Sequence, residues 1–173
     1  MPNTPKLRCP PLPQPFRVVL VEPEIPPNTG SVARTCAATG SPLHLVEPLG
    51  FRIDDRSLKR AGIDYWHLVQ VHVHASFEAF VAAQPAVRLH LFSAGAARPY
   101  LDADFAPGDA LVFGRESVGL PKALLDAHPE RVWAIPTSGA VRSLNLSNAV
   151  AIVLFEALRA NGGLSPTFVE APA

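Results

Sequence analysis

Hydrophobic positions along the chain follow two alternating periods. Short apolar or β-branched runs recur at residues 16–21 (FRVVLV), 43–46 (LHLV), 67–73, 87–92, 110–113 (ALVF) and 131–135. Each is too short for a helix and reads as a buried strand. Between them lie stretches with helical spacing at 29–39, 76–83, 121–127 and 146–161. In the last of these, Leu146, Ala149, Val150, Val153, Leu154, Ala157 and Leu158 recur at helical intervals, and Ile152 and Phe155 extend the apolar surface around the cylinder. A helix of that kind is buried on most sides, and in a chain this small a subunit interface is a natural place for it. Asn28 reads as the N-cap of the first helix and Gly40 as its stop. The three prolines of residues 22–28 (EPEIPPN) predict an extended loop before it.

Strands alternating with helices predict an α/β fold, a mostly parallel sheet with helices on both faces. No internal repeat or second domain is visible. The expected organisation is a proline-rich, unstructured extension over 1–15, one domain over 16–162 and a flexible tail over 163–173. In parallel sheets ligands bind beyond the carboxyl ends of the strands. The loops after Val21, Phe92, Phe113 and Ile135 are therefore where chemistry is expected.

Composition changes this picture only slightly. Of the 173 residues, 48% are hydrophobic and 17% charged, and the formal net charge is zero. The apolar excess points to an oligomer. The neutral balance gives no overall basic surface for phosphate, although a global sum says nothing of local clusters. Two cysteines, Cys9 and Cys36, without CxxC spacing fit neither a zinc site nor a disulfide framework, so a reducing cytoplasm is the expected compartment. No run approaches the ~18 apolar residues of a membrane span, and the first fifteen residues lack the apolar core of a signal peptide.

The familiar nucleotide and hydrolase fingerprints GxGxxG, GxxxxGK[ST] and GxSxG are missing. His72 and His74 share one strand face, which reads as surface-facing rather than metal-binding. Three segments carry more. In Asn28-Thr-Gly-Ser-Val-Ala-Arg34, a helix N-terminus suited to anions is followed by an arginine that interrupts a face of small residues. That arginine either lays its stem on the helix or grips phosphate with its fixed fork of donors. In Phe113-Gly-Arg-Glu-Ser-Val-Gly-Leu-Pro121, Gly114 ends a buried strand and would let a ligand approach the backbone, while Glu116 is placed either to cap a helix or to act in a site. Residues 135–148 (IPTSGAVRSLNLSN) hold Ser143, Asn145, Ser147 and Asn148, more polar groups than one helix start needs for capping.

In this order the three runs, PPNTG…R, FGRESVGLP and IP…SLNLSNAVAIVLFEALR, resemble the motifs of the SPOUT RNA methyltransferases of the ribose 2′-hydroxyl branch. The resemblance covers about residues 16–162. EPEIPPNTG, LHLVEPLGF and RAGIDYW are most similar to the small enzymes that methylate the wobble nucleotide, cytidine or uridine, of leucine tRNAs. The resemblance implies a C-terminal deep trefoil knot, S-adenosylmethionine as cofactor with no metal, tRNA rather than DNA as partner, no membrane, and a homodimer. It implies that Phe92, Gly114, Ile135, Ser143 and Leu144 surround the cofactor, and that Asn28, Arg34, Glu116, Ser147 and Asn148 serve the target ribose. Arg34 would be the catalytic residue. Because a guanidinium keeps its proton, positioning phosphate and stabilising a developing alkoxide suit it better than acting as a base. Arg115 stands where the family often has a small residue or proline, free to touch RNA or face solvent. Phe155 stands where some relatives carry a tyrosine. The same chemistry on another RNA ribose, a catalytically silent RNA-binding dimer of this fold, and a redox module on an unknotted sheet remain as alternatives.

Overall fold

The six predicted apolar runs form one sheet. The computed structural model describes residues 6–53, 66–165 and 167–170. In chain order the strands are β1 (Lys6–Arg8), β2 (Arg17–Val21), β3 (Leu43–Val46), β4 (Val71–His74), β5 (Leu89–Phe92), β6 (Ala110–Phe113), β7 (Val132–Trp133) and β8 (Phe168–Glu170), and the helices are α1 (Pro26–Thr39), α2 (Phe77–Ala83), α3 (Lys122–Ala127) and α4 (Leu146–Ala160). Strands β4-β3-β2-β6-β5-β7 lie in that order, all parallel, with Val19 in register with His44 on one side and Val112 on the other. The alternation of side chains along each strand divides the core in two. Val18, Leu20, Leu43, Leu111 and Phe113 face α1 and α4, whereas Val19, Val21, Val46, Leu91 and Val112 face Phe80 of α2 and Leu124 and Leu125 of α3. Both faces being covered explains why β2, β3 and β6 read as unbroken apolar runs.

The strand order reverses at the centre. From β2 the chain moves outward through β3 to β4, and β6 then returns to pair with β2 on its other side. The loops leaving β2 and β6 therefore part in opposite directions and open a crevice at the strand ends. After β7, at one edge of the sheet, the chain comes back so that α4 packs on α1 and β6.

The prolines of residues 22–28 act differently from expectation. Pro26 and Pro27 are the first two helical residues of α1, and Ile25, not Asn28, is its N-cap. A proline there has no N–H to leave unsatisfied and its fixed φ suits the helix. Asn28 is thus inside the first turn and buried. Gly40 ends α1 in the left-handed region as expected, at φ 70°. The run predicted over 67–73 is strand only at β4, with a 3₁₀ turn over Trp66–Leu68 before it. Residues 54–65, with all of the RAGIDYW run except its final Trp66, lie outside the described residues.

Both termini also differ. Instead of an unstructured extension and a frayed tail, β1 and β8 form an antiparallel ribbon, with Lys6 opposite Glu170 and Arg8 opposite Phe168. Arg8 Nε donates to Glu170 at 2.7 Å. Leu12 and Leu164 pack on the core beneath the ribbon, where a Cβ on Gly163 would come within 3.2 Å of Leu12. Composition signals low cohesion for the extension alone; its partner, some 160 residues away in sequence, leaves no local signature. Cys36 is buried in α1 and burial pushes its thiol up to about 12, so it is inert.

On β3 and β4 three histidines gather. His44 is buried, its Nδ1 lies 2.9 Å from His74 Nε2, and its ring stacks 4.8 Å from that of His72, with Phe80 edge-on. Burial first, then the neighbouring His72, His74 and Arg17, push its pKa from 6.5 down to about 3. The unfolded chain therefore holds a proton that the fold rejects between those values. Stability present above pH 6.5 is lost as pH falls toward 3, by at most about 1.4 kcal/mol per pH unit. Thermal melts at about pH 7.5 and 5 should show a smaller acid-induced drop in His44→Phe than in the parent protein; equal drops would place the acid sensitivity elsewhere.

Candidate active site

The crevice deepens into a cavity of about 530 Å³ walled by four loops. Phe92 ends β5 and Ser93 follows it; Gly114, Glu116 and Gly119 follow β6; Ile135, Thr137, Ser143 and Leu144 follow β7; Ile25 and Asn28 open α1. The rings of Phe92 and Phe113 stack at 4.8 Å beneath it. The walls are mixed: apolar surfaces for a flat ring, and hydroxyl, amide and backbone groups for a polar ligand.

A chain of hydrogen bonds fixes these loops to one another. Glu116 accepts from the backbone amides of Glu24 at 2.8 Å and Ile25 at 3.2 Å, and from Asn28 Nδ2 at 3.0 Å. Glu24 in turn accepts from the backbone amide of Ser117 at 3.0 Å and from its hydroxyl at 2.9 Å. The two glutamates thus cap each other's loops. Because α1 begins with two prolines, it has few amides to satisfy itself, and the carboxylate beside its positive end comes from 88 residues further along. Asn28 Oδ1 accepts from Asn145 Nδ2 at 3.0 Å, and Asn145 Oδ1 caps α4 by accepting from the amide and hydroxyl of Ser147. One asparagine, buried in α1, therefore joins the β6 loop to the start of α4.

Gly114 has a different neighbour from the one expected. A Cβ there would lie 2.1 Å from the Gly119 carbonyl carbon and 2.2 Å from the Leu120 amide nitrogen. The loop's own returning peptide occupies the space, and the Arg115–Gly119 backbone pair closes the turn with bonds of 3.2 and 2.8 Å. Gly119 itself sits at φ 76°, a conformation natural to glycine. Arg115 neither faces solvent alone nor stands free: it is ion-paired with Glu22.

Of the residues singled out in the sequence, Asn28, Phe92, Gly114, Glu116, Ile135, Ser143 and Leu144 line the cavity. Ser147 lies just behind it in the α4 cap, and Asn148 is exposed on α4. Arg34 is exposed on α1, six residues beyond Asn28, which is about 9 Å along the axis and well round the helix. The chain on its own does not bring Arg34 into the cavity. Residues whose part was missed are Glu24 and Ser117, which complete the reciprocal cap, and Asn145, which bridges to Asn28. An acid two residues before a proline-led helix was the available signal for Glu24; the others depend on contacts across the sheet. Among the described residues, no group of three or more His, Cys, Asp or Glu side chains is placed to hold a metal ion, and no helix is long and apolar enough to cross a membrane.

Glu116→Gln should cost about 1–3 kcal/mol, since a donor replaces one acceptor oxygen, and Asn145→Ala about 1 kcal/mol from the lost cap. Urea unfolding of the double variant should show less than the sum, because both act through Asn28; strict additivity would mean that the bonds are independent. Gly114→Ala should destabilise the protein by about 1–3 kcal/mol or more through overpacking, with the loop displaced; a melting temperature equal to that of the parent would contradict the close approach of residues 119–120.

The chain is similar to a tRNA (cytidine(34)-2'-O)-methyltransferase of Burkholderia pseudomallei (strain 1106a), 52% identical over 151 residues, covering 85% of this chain and 96% of that protein. A similar protein of the same description from Polaromonas sp. is 50% identical over 150 residues, covering 85% and 92%. Among solved structures, one described as concerning the 2-OH methylation of C/U34 on tRNA has a TM-score of 0.79 at 47% identity, covering 85% of this chain and 96% of its own. An AdoMet-bound rRNA methyltransferase from Sinorhizobium meliloti has a TM-score of 0.73 at 28% identity, covering 87% of this chain but 58% of its own. The SpoU rRNA Methylase family matches residues 15–155, a span holding the whole parallel sheet and every loop of the cavity, and the chain belongs to that family.

Proposed function

We propose that this protein transfers a methyl group from S-adenosylmethionine to the ribose 2′-hydroxyl of the wobble nucleotide, cytidine or uridine, of leucine tRNAs. The observation that carries the proposal is the cavity at the strand ends, enclosed by three cross-linked motif loops in a chain half identical to tRNA (cytidine(34)-2'-O)-methyltransferases. The cavity fits the cofactor in size, within the roughly 300–1,000 Å³ range of small-molecule sites. Its chemistry fits as well: Phe92, Ile135 and Leu144 give apolar walls for a base, and Ser143 and the loop amides give donors and acceptors for its polar edge and tail.

The cofactor supplies an activated methyl; the chain supplies position and field. Asn28 and Glu116 hold the α1 start against the β6 loop, so the walls are set before any ligand arrives. Ser147, through Asn145, fixes the direction in which α4 leaves the cavity, with Asn148 on the exposed side next to it. Arg34 brings a planar fork of donors. In this reading it grips the phosphate beside the target ribose and stabilises the oxyanion that develops there. Its exposed place on α1 means that a substrate strand or a second copy must bring it to the reacting ribose.

Two further parts of the reading concern architecture. The return of the chain from the edge strand β7 to Asn145, hydrogen-bonded to Asn28 near the centre, fits a deep trefoil knot closed around the cofactor loops. A homodimer accounts for Ile152 and Phe155, large apolar side chains of α4 that are 38% and 45% exposed. A cytoplasmic site of action follows from the tRNA substrate.

Total tRNA lacking the modification, incubated with labelled cofactor and mapped by nucleoside, should carry label at the wobble ribose; label at another tRNA ribose or in ribosomal RNA would redirect the proposal. Arg34→Ala should lower turnover by about a hundredfold or more while calorimetric cofactor affinity stays near that of the parent. Parental rates at saturating tRNA would make Arg34 a structural residue. Light scattering should report a dimer, and Phe155→Glu should shift it toward monomer; a stable, active monomeric parent would remove the dimer from the reading.

A further inference from the structure

Beneath the cavity wall lies a buried polar chain that the proposed reaction does not use. Trp133 is 2% exposed and lines the cavity. Its indole Nε1 donates to His90 Nδ1 at 3.1 Å. The His90 ring is fully buried, and its Nε2 lies 2.9 Å from Asp109. Since Nδ1 accepts from the indole, the hydrogen is on Nε2 and His90 donates to the carboxylate. Asp109 is held in turn by two bonds from Arg88, at 3.0 and 2.7 Å, and by the Ala106 amide at 2.8 Å. Burial alone would raise its pKa, but the bonds from His90, Arg88 and Ala106 outweigh it and hold the carboxyl at about 2. Every member is bonded, so the chain has one arrangement.

Trp133 also fixes the wall next to it. Its carbonyl accepts from the Ser93 amide at 2.9 Å, and the Arg98 guanidinium lies 4.1 Å from its ring centroid. Ala134, the next residue, pairs with the segment after Ser93 through Arg98 and Tyr100, with bonds of 2.8 Å each. Residues 93–100 thus leave the sheet at Ser93, turn, and come back to the end of β7 at a parallel bridge between Pro99 and Ala134, and Ser93 and Gly95 belong to the cavity wall. The position of that wall depends on Trp133, and the position of Trp133 depends on the bond to His90.

We infer that His90, anchored by Asp109, is a positioning residue for cofactor binding: it fixes Trp133 and through it the wall formed by residues 93–95 and the start of the Ile135 loop. The inference rests on the reading of the cavity as the S-adenosylmethionine site. His90 lies in the core beneath the wall and acts on ground-state affinity rather than on the methyl-transfer step.

The test measures calorimetric affinity for S-adenosylmethionine and its demethylated product, with steady-state rates at saturating cofactor, in the full chain. His90→Leu removes both bonds. It should weaken cofactor binding by about tenfold or more while kcat at saturating cofactor stays within about threefold of the parent. His90→Gln can still accept from the indole and donate to the carboxylate, and should restore most of the affinity. Trp133 fluorescence, read in a Trp66→Phe background, should change on cofactor addition in the parent and in His90→Gln, and much less in His90→Leu. If His90→Leu does not fold, Trp133→Phe, which keeps a ring but loses the N–H, carries the same expectation of weakened binding. Parental affinity in a folded His90→Leu or Trp133→Phe protein would overturn the inference while leaving the cavity reading intact. Failure of the parent itself to bind the cofactor would overturn both.

Discussion

A single carboxylate organises this molecule's reactive end. Helix α1 starts on two prolines and has no side-chain cap of its own. Its approach to the sheet is set by Glu116, which comes from the loop after β6 and holds the amides of Glu24 and Ile25. A charge-assisted bond to backbone N–H is among the stronger hydrogen bonds available to a protein, and here it acts across the crevice that the reversal of strand order opens. Glu24 reciprocates on Ser117. The two loops cannot part without exposing the donors and acceptors of both, so the cavity between them is a stable feature of the fold and need not be induced by a ligand.

The rest of the architecture makes this arrangement affordable. Central strands covered on both faces give a stiff parallel sheet. Its carboxyl edge can then carry loops rich in glycine, proline and polar groups. Gly114 illustrates the balance. Its missing side chain admits the Gly119–Leu120 peptide, and that contact folds the loop back so that Glu116 points at α1. The local demand of a turn and the distant demand of a helix end are met by the same five residues.

How much of this was legible depended on range. Strands β3 and β6 were read to the residue, because parallel strands buried on both faces leave continuous apolar runs. The stop of α1 at Gly40 was legible because left-handed backbone favours glycine. The start of α1 was misplaced because proline was taken as a helix breaker, when at the first two helical positions it costs nothing. The loops of the site were found from their surplus of polar groups, but which polar group meets which could not be read: Asn145 finds Asn28 across 117 residues. The pairing of β1 with β8 is of the same kind. The histidines of β4 were read as facing outward, and His72 is exposed; their stacking on the buried His44 of the neighbouring strand is a property of the sheet rather than of either segment.

The ribbon of β1 and β8 also brings together two parts of the chain that are far apart in sequence. Lys6 and Glu170 are opposite partners, about 5 Å apart as antiparallel neighbours are. The extension passes Gly40 and Gly163, which follow the ends of α1 and α4. Both helices begin at the cavity and run about 20 Å away from it at 1.5 Å per residue. The ribbon therefore gathers Lys6 and Glu170 at the pole opposite the crevice, where it belts the two helix ends without narrowing the mouth of the cavity.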